Sequence, residues 1–432
     1  MKRLKRLLHS DTGKLMVPSF AIAFLARLMQ LAMAVLAARI LLPEGYGVFT
    51  FALGVGLLGG RIGALGWPML MNRFIPRYSI DQKWGLLRGF MRAAHGVISL
   101  SGLVVSILCI VTGFYLGPDS HLYLGLILGG ILLPIMAFRA LYRNILAALR
   151  LPQNGIFIDE LMPSTIMTAC LLVLLNQTIA PHTAIGLYIA ASVTAVGFGA
   201  FWIRRKLPQE MAEAEPIYTL RSWMRIAFPA LVGTSSKLLM NKTDVLMLAP
   251  LATMADVGLY GAALRVTSIQ TAPVVVLSTV ITARISEAFA AGRDAQGKRL
   301  FYLAYGFAAI YATAFAVLVI LFSETVIISL FGAAYAEGAT VLSILAVAQI
   351  GSAVNTPASA FMLMTGREGA FGKMTSFALV INVALNLWLI PTMGAEGAAL
   401  ATCCSIWLLG VLQMTACMKI VRSGEFKDKP QT

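Results

Sequence analysis

The stretch VPSFAIAFLARLMQLAMAVLAARIL, residues 17–41, decides the fold class of this chain. An α-helix needs roughly 20 consecutive apolar residues to cross the hydrocarbon core of a bilayer, and this stretch provides them. Arg27 and Arg39 are its charged residues. The stretch is longer than the core of a signal peptide, so we expect a retained transmembrane helix.

Similar apolar runs recur along the whole chain. Of its 432 residues, 59% are hydrophobic and 12% are charged, a composition far from that of a soluble domain. About twelve runs are long enough to span a bilayer. They cover residues 17–41, 46–68, 94–116, 123–147, 158–176, 184–203, 225–249, 258–283, 301–322, 340–364, 373–390 and 398–420. The sequence therefore predicts an all-α integral membrane protein with about twelve transmembrane helices.

The net charge of +15 is compatible with nucleic-acid binding or with a membrane topology signal, and the positions of the basic residues decide between them. Lys and Arg cluster before the first run and in every second loop after it, whereas the intervening loops contain acidic residues and no Lys or Arg. This is the positive-inside pattern. It predicts that both termini are cytoplasmic, and it leaves no reason to expect nucleic acid as a partner.

Motifs for soluble chemistry are lacking in the sequence. It contains no P-loop, no H-E-x-x-H and no G-x-S-x-G. The five cysteines all lie in predicted spans and lack the spacing of a metal site. We therefore expect no catalytic residues, no metal and no other cofactor.

The two halves of the chain are related by an internal repeat. Pro18 falls on Pro229 and Arg73 on Arg284, so the offset is 211 residues. Each half holds an even number of spans, so both halves begin on the cytoplasmic side. We therefore predict two six-helix bundles related by a parallel repeat, with the axis along the membrane normal.

The most polar interior segment lies at the junction of the two halves. Residues 204–222 begin with Arg204-Arg205-Lys206 and contain several glutamates. We interpret this segment as a cytoplasmic linker, which gives an N-terminal bundle at 1–203 and a C-terminal bundle at 223–432.

Cations within apolar spans are the main candidates for function, because each costs about 2.5–3.5 kcal/mol near the centre of a span. The predicted cavity-lining cations and amides are Arg27, Gln30, Arg61, Lys237, Asn241 and Arg265. Arg27 and Gln30 share one helix face, as do Lys237 and Asn241, and the repeat superposes Gln30 on Asn241. Together they predict a basic chamber suited to a ligand that bears phosphate.

Asp244 is the acid that stands out among these cations, so we expect that pairing does not neutralise them. Its carboxylate has two interpretations, a structural counter-ion to a nearby Lys or Arg or a binding site for H⁺ or Na⁺. The cations also have structural interpretations, since each could reach the interface, pair with an acid or anchor a helix. Anchoring is favoured for Arg39, and both interpretations stay open for Arg139 and Arg143.

The stretch ARILLPEGYG at 38–47 resembles the first-loop signature of the polysaccharide-export and O-antigen flippases of the multidrug/oligosaccharidyl-lipid/polysaccharide (MOP) superfamily. In the second half, DVGLY at 256–260, FGAAY at 331–335 and NVALN at 382–386, leading to PTMGAEGAA at 391–399, are similar to patterns of the same family. The resemblance spans nearly the whole chain. It implies a MATE-like fold, a pair of six-helix bundles.

The resemblance also implies a function. It implies a flippase that moves a polyprenyl-pyrophosphate-linked oligosaccharide from the inner to the outer leaflet of a bacterial plasma membrane. Such proteins serve polysaccharide or lipopolysaccharide biosynthesis, and they use a cationic cavity for the pyrophosphate and the sugar. The cations at positions 27, 61, 237 and 265 fit that role by residue type. The implied partners are the lipid-linked oligosaccharide, membrane lipids and other polysaccharide-assembly proteins.

Three other functions are weighed against flipping. A multidrug or cation antiporter of the same superfamily calls for acidic cavity residues, which are scarce in the predicted spans. A polytopic glycan ligase or polymerase is disfavoured by short outer loops without an Arg or His cluster. A scaffold for glycan assembly that transports nothing is the third. Flipping needs no covalent step, so we expect a transporter and not an enzyme.

Overall fold

The computed structural model describes residues 11–175, 177, 179–228, 231, 242–290, 293–364 and 367–423. Throughout these residues the regular secondary structure is helical, and they contain no strand. The chain divides into an N-terminal unit, Met1–Leu238, and a C-terminal unit, Leu239–Thr432. The boundaries predicted from the sequence, with a linker at 204–222, stay a prediction.

The described part of the N-terminal unit contains eight α-helices and a further helical stretch at residues 220–228. The helices are α1 (Asp11–Gly63), α2 (Trp67–Ile80), α3 (Trp84–Leu116), α4 (Tyr123–Ala148), α5 (Pro152–Ile156), α6 (Met162–Val173), α7 (Pro181–Lys206) and α8 (Gln209–Glu213). A π-helical turn, Phe157–Leu161, joins α5 to α6. The three pieces form one continuous segment.

The described part of the C-terminal unit is also helical. Its described helices are α9 (Thr243–Leu251), α10 (Met254–Ala290), α11 (Asp294–Leu321), α12 (Ser323–Phe331), α13 (Gly338–Met364) and α14 (Glu368–Ser423). A short 3₁₀ helix, Ala333–Tyr335, lies between α12 and α13.

Eight helices in the described part of the chain are long and apolar enough to cross a membrane. Two of them, within α1 and α14, have 43 and 51 residues, about twice the length that one crossing needs. Each is interrupted by a non-helical residue, Leu42 in α1 and Gly394 in α14. The two neighbouring spans predicted at each of these places are therefore the two arms of one broken helix. The chain is a multi-pass membrane protein.

The breaks in the helices follow the predicted repeat. The 211-residue offset carries Leu42 onto Thr253, and Thr253 lies in the gap between the end of α9 at Leu251 and the start of α10 at Met254. Both units therefore interrupt their helices at the same position of the repeat.

Small residues bring α1 close to α4. A Cβ atom placed on Gly56 would lie 3.0 Å from the side chain of Leu132, and one on Gly60 would lie 2.9 Å from the carbonyl oxygen of Leu133. Glycines allow this approach because they have no side chain at the interface. Since Arg61 follows Gly60 directly, the close packing holds a cation beside α4.

Candidate functional site

Two carboxylates lie in the π-helical turn between α5 and α6. Asp159 and Glu160 belong to this turn, inside an apolar segment of 22 residues that is long enough to cross a membrane. Their side chains are 13% and 16% exposed. Turns of the π type are rare and are frequent at functional sites, and acids inside a span need partners.

Arg139 of α4 is the most buried of these partners. Its side chain is 6% exposed, and its Nε lies 3.5 Å from Oδ1 of Asp159. Nη1 donates hydrogen bonds to the hydroxyls of Ser192 at 3.1 Å and Tyr188 at 3.3 Å, while Nη2 donates to the carbonyl oxygen of Asp159. Arg139 therefore ties α4 to α7 and to the π-helical turn, which is a structural role.

Arg143, one turn further along α4, binds both acids. Its Nη1 donates to Oδ2 of Asp159 at 3.0 Å and to Oε1 of Glu160 at 2.6 Å. The side chain is 37% exposed, far more than that of Arg139. Its guanidinium has five N–H donors, and those not used on the acids are available to a ligand.

Arg27 of α1 reaches the same acids from another helix. Its Nη2 lies 3.8 Å from Oε2 of Glu160, and its side chain is 54% exposed. Nη1 donates to Oε1 of Gln30 at 3.2 Å, as expected for two residues on one helix face. Arg27 is therefore held loosely and stays accessible.

The prediction that pairing does not neutralise the cations is wrong for Arg27. Glu160 pairs with Arg27, and Arg139 and Arg143 also pair with the two acids. Asp159 and Glu160 stand at the start of the predicted span 158–176. Two adjacent acids inside an apolar run are themselves the sequence signal that points to such a cluster.

Pairing is nevertheless incomplete. Arg61 is half-buried at the end of α1, and its charge also acts on Asp159. Three guanidinium groups pair with the two carboxylates and the charge of Arg61 acts on one of them, so four positive charges stand against two negative ones. The group formed by Arg27, Arg61, Arg139, Arg143, Asp159 and Glu160, here called the charged cluster, has an excess of two positive charges.

The remaining predicted site residues belong to the C-terminal unit, apart from Lys237 at the end of the N-terminal one. Lys237 and Asn241 lie outside the described residues. Arg265 lies in α10 and is half-buried, and no carboxylate of the described chain forms a salt bridge with it. It is a further candidate for contact with an anionic ligand.

Asp244 lies in the first turn of α9 and is 3% exposed. The hydroxyl of Tyr260 donates to Oδ2 at 3.0 Å, and the side-chain amides of Asn386 and Asn382 donate to Oδ1 at 2.9 and 3.2 Å. No Lys or Arg within the described ranges forms a salt bridge with Asp244. A buried carboxylate that neutral donors hold in this way is suited to binding a small cation or a proton.

Asn382 and Asn386 are site residues that the sequence analysis did not single out as ligands of Asp244. They lie four residues apart on α14, which places both amides on one helix face. The NVALN stretch at 382–386 that carries the family resemblance contains both. Its i, i+4 spacing of amides in an apolar helix was the available signal.

Comparisons with known proteins agree with this architecture. The family model described as "Polysaccharide biosynthesis protein" matches residues 18–289, and the model described as "MatE" matches residues 229–388. No curated protein matches the chain in a sequence search.

Solved structures match over almost the whole chain. A structure titled "Lipid II flippase MurJ, inward closed conformation" is 16% identical, with a TM-score of 0.75, and the match covers 92% of this chain and 87% of that one. An inward-facing multidrug resistance MATE family transporter of the MOP superfamily is 14% identical, with a TM-score of 0.78 and coverage of 96% and 99%. A MOP superfamily transporter from Pyrococcus furiosus Vc1 (DSM3638) is 16% identical, with a TM-score of 0.55 and coverage of 97% and 98%.

These matches confirm the predicted all-α, MATE-like membrane fold. The three solved proteins are named as a flippase and as transporters. The first family model covers more than half of the chain. The chain therefore belongs to the polysaccharide biosynthesis protein family, within the MOP superfamily of membrane transporters and flippases.

Proposed function

We propose that the chain is a flippase that moves a polyprenyl-pyrophosphate-linked oligosaccharide across the bacterial plasma membrane, for polysaccharide or lipopolysaccharide biosynthesis that includes O-antigen. The observation that carries this proposal is the excess of two positive charges in the charged cluster, among apolar helices. A guanidinium group matches the oxygens of a phosphate in both geometry and charge. An excess of two charges suits a diphosphate.

The arginines of the charged cluster have different proposed roles, which follow from their burial. Arg139 is buried and bonded to Asp159, Tyr188 and Ser192, so it holds the cluster together. Arg27 and Arg143 are the more exposed members and present N–H donors to the substrate. The 3.8 Å separation of Arg27 from Glu160 exceeds a hydrogen-bond length, so a phosphate oxygen can replace the carboxylate at little cost.

Five further residues complete the proposed substrate contacts. Arg61 adds charge beside Asp159, and Gln30 offers its amide to the glycan or the diphosphate. Lys237, Asn241 and Arg265 are proposed to offer the same chemistry from the second half of the repeat. The polyprenyl tail stays in the lipid, and no covalent step takes place.

The proposed setting follows from the substrate and the charge pattern. Lipid-linked oligosaccharides are made in the plasma membrane, so we place the chain there, with both termini in the cytoplasm as the positive-inside pattern predicts. Membrane lipids and other polysaccharide-assembly proteins are its proposed partners. The likeness to a structure named as a lipid II flippase supports a lipid-linked substrate.

Reconstitution tests the proposal against its nearest rival, a multidrug or cation antiporter. The match of the MatE model to residues 229–388 and the enclosed carboxylate of Asp244 favour that rival. Purified protein in liposomes is offered a fluorescent polyprenyl-diphosphate oligosaccharide, its monophosphate counterpart and a cationic dye. We expect translocation of the diphosphate, slower translocation of the monophosphate and no transport of the dye. Transport of the dye without translocation of either lipid would favour the antiporter.

Asp244 is the proposed site where H⁺ or Na⁺ couples to transport. Replacement of Asp244 by asparagine removes the charge and keeps donors and acceptors for Tyr260, Asn382 and Asn386, so we expect the fold to persist. In liposomes with an imposed H⁺ or Na⁺ gradient, translocation by wild-type protein should respond to one of the gradients, and translocation by Asp244→Asn should respond to neither. Glu324→Gln, an exposed carboxylate in α12 of the same unit, is the matched control and should respond as wild type does. An Asp244→Asn variant that keeps the gradient response would remove the coupling role.

A further inference from the structure

A cavity of about 570 Å³ lies in the N-terminal unit and shares no lining residue with the charged cluster. One wall is the beginning of α3, and a second is the end of α7. The segment 207–212, which follows α7 and enters α8, closes a third side. The volume lies within the range of about 300–1,000 Å³ that is usual for small-ligand sites.

The polar side chains of this cavity are mostly cationic. Arg88, Arg92 and Arg204 line it together with His95, and its lining contains no Asp or Glu. Arg92 and Arg204 are exposed, whereas Arg88 is half-buried and donates from Nη1 to the carbonyl oxygen of Ala214 at 2.7 Å. Three guanidinium groups without a carboxylate in one cavity repel each other, and a bound anion removes that repulsion.

The rest of the lining is apolar or amphipathic. Met91, Ile203 and Leu207 contribute apolar surface, and Tyr142 contributes a phenol on which the charge of Arg204 acts. Arg204 belongs to the basic segment that the positive-inside pattern assigns to the cytoplasmic side. A basic, partly apolar pocket between helices on that side is the kind of site that receives an anionic headgroup.

We propose that this cavity binds a phosphate-bearing anion, the headgroup of an anionic phospholipid or a free phosphate compound. The arginines bind the phosphate oxygens, Met91 and Ile203 contact the less polar part of the ligand, and the ligand holds segment 207–212 against α3 and α7. The site is separate from the one proposed for the transported lipid, and its ligand is not the transported substrate.

Neighbouring arginines on α7 provide a matched pair of variants. Arg204 lines the cavity, whereas Arg205 stacks on the ring of Phe201, with 4.4 Å between its Cζ and the ring centroid, and does not line it. Both are exposed, and Gln at either position removes one positive charge from the same end of the helix. A ligand that responds only to net charge cannot distinguish the two variants.

The full chain is purified and placed in nanodiscs of phosphatidylcholine, with or without cardiolipin, and inorganic pyrophosphate is the soluble probe. Bound lipid is counted by native mass spectrometry, and pyrophosphate affinity is measured by calorimetry. We expect wild type and Arg205→Gln to bind the same one of the two probes with equal affinity, and Arg204→Gln to bind it about tenfold more weakly. The charged cluster is intact in every variant, so such a loss locates the binding in the cavity.

A second measurement uses wild-type protein alone. Hydrogen–deuterium exchange of residues 207–212 should slow when the effective probe is added, because the ligand holds this segment. A response to cardiolipin alone identifies a lipid headgroup, and a response to pyrophosphate identifies a free phosphate ligand. Equal binding by Arg204→Gln and Arg205→Gln, or unchanged exchange of 207–212 with both probes, would overturn the proposal.

Discussion

Replacement of Asp159 by asparagine is expected to destabilise the N-terminal unit by about 3–5 kcal/mol, the usual cost of removing one partner from a buried ion pair. Asp159 accepts a hydrogen bond from Arg143 at 3.0 Å, and its Oδ1 lies 3.5 Å from Nε of Arg139. The side chain of Arg139 is 6% exposed, so water cannot replace the lost charge. The measurement is the free energy of unfolding, from denaturant titration of purified protein in detergent.

Two further variants show whether the loss of a buried charge is the reason for the destabilisation by Asp159→Asn. Asp119→Asn makes the same change in an exposed loop between α3 and α4 and should leave the free energy of unfolding unchanged within about 0.5 kcal/mol. Removal of both charges in Arg139→Gln/Asp159→Asn should cost less than the sum of the two single changes. Additive losses would show that the pair is not coupled, contrary to the geometry.

Replacement of Arg27 by glutamine is expected to slow translocation of a lipid-linked diphosphate by about 10- to 100-fold, because a charge-assisted hydrogen bond contributes about 1.5–3 kcal/mol. The fold should persist, since the side chain is 54% exposed and its ion pair with Glu160 is long at 3.8 Å. The rate is measured in proteoliposomes with a fluorescent substrate.

Arg39→Gln is the control for this change. It removes the same charge from the same helix, at a position predicted to anchor the helix near its outer end. The rate of this variant should stay within about twofold of wild type, as expected for a surface change. Equal losses in both variants would assign the effect to membrane insertion of α1, and an unchanged rate in Arg27→Gln would remove its role in substrate binding.

Much of the fold could be predicted from the sequence because bilayer thickness sets the length of each apolar run. The breaks within the helices were harder to predict. Leu42, directly before Pro43, interrupts α1 with backbone angles of φ 59° and ψ 174°, and Gly394, three residues after Pro391, interrupts α14. A single residue with a positive φ separates the two spans without a loop. Composition therefore predicts two helices where the chain has one broken helix.

The candidate site was predicted only in part. Arg27 and Gln30 lie on one helix face, which periodicity reveals, and their contact follows. The pairing of Arg143 with Asp159 depends on how α4 packs against the segment with the π-helical turn, and nothing in helical periodicity indicates that packing. Long-range ion pairs are therefore the part of the site that required the structure.

The central claim is that the charged cluster holds the diphosphate of the substrate. Cryo-electron microscopy of the protein with a bound polyprenyl-diphosphate oligosaccharide tests it most directly. We predict density for the diphosphate within hydrogen-bond distance of the guanidinium groups of Arg27 and Arg143, with Arg139 still paired to Asp159. A diphosphate bound elsewhere, with Arg27 still beside Glu160 and no phosphate near Arg143, would contradict the account.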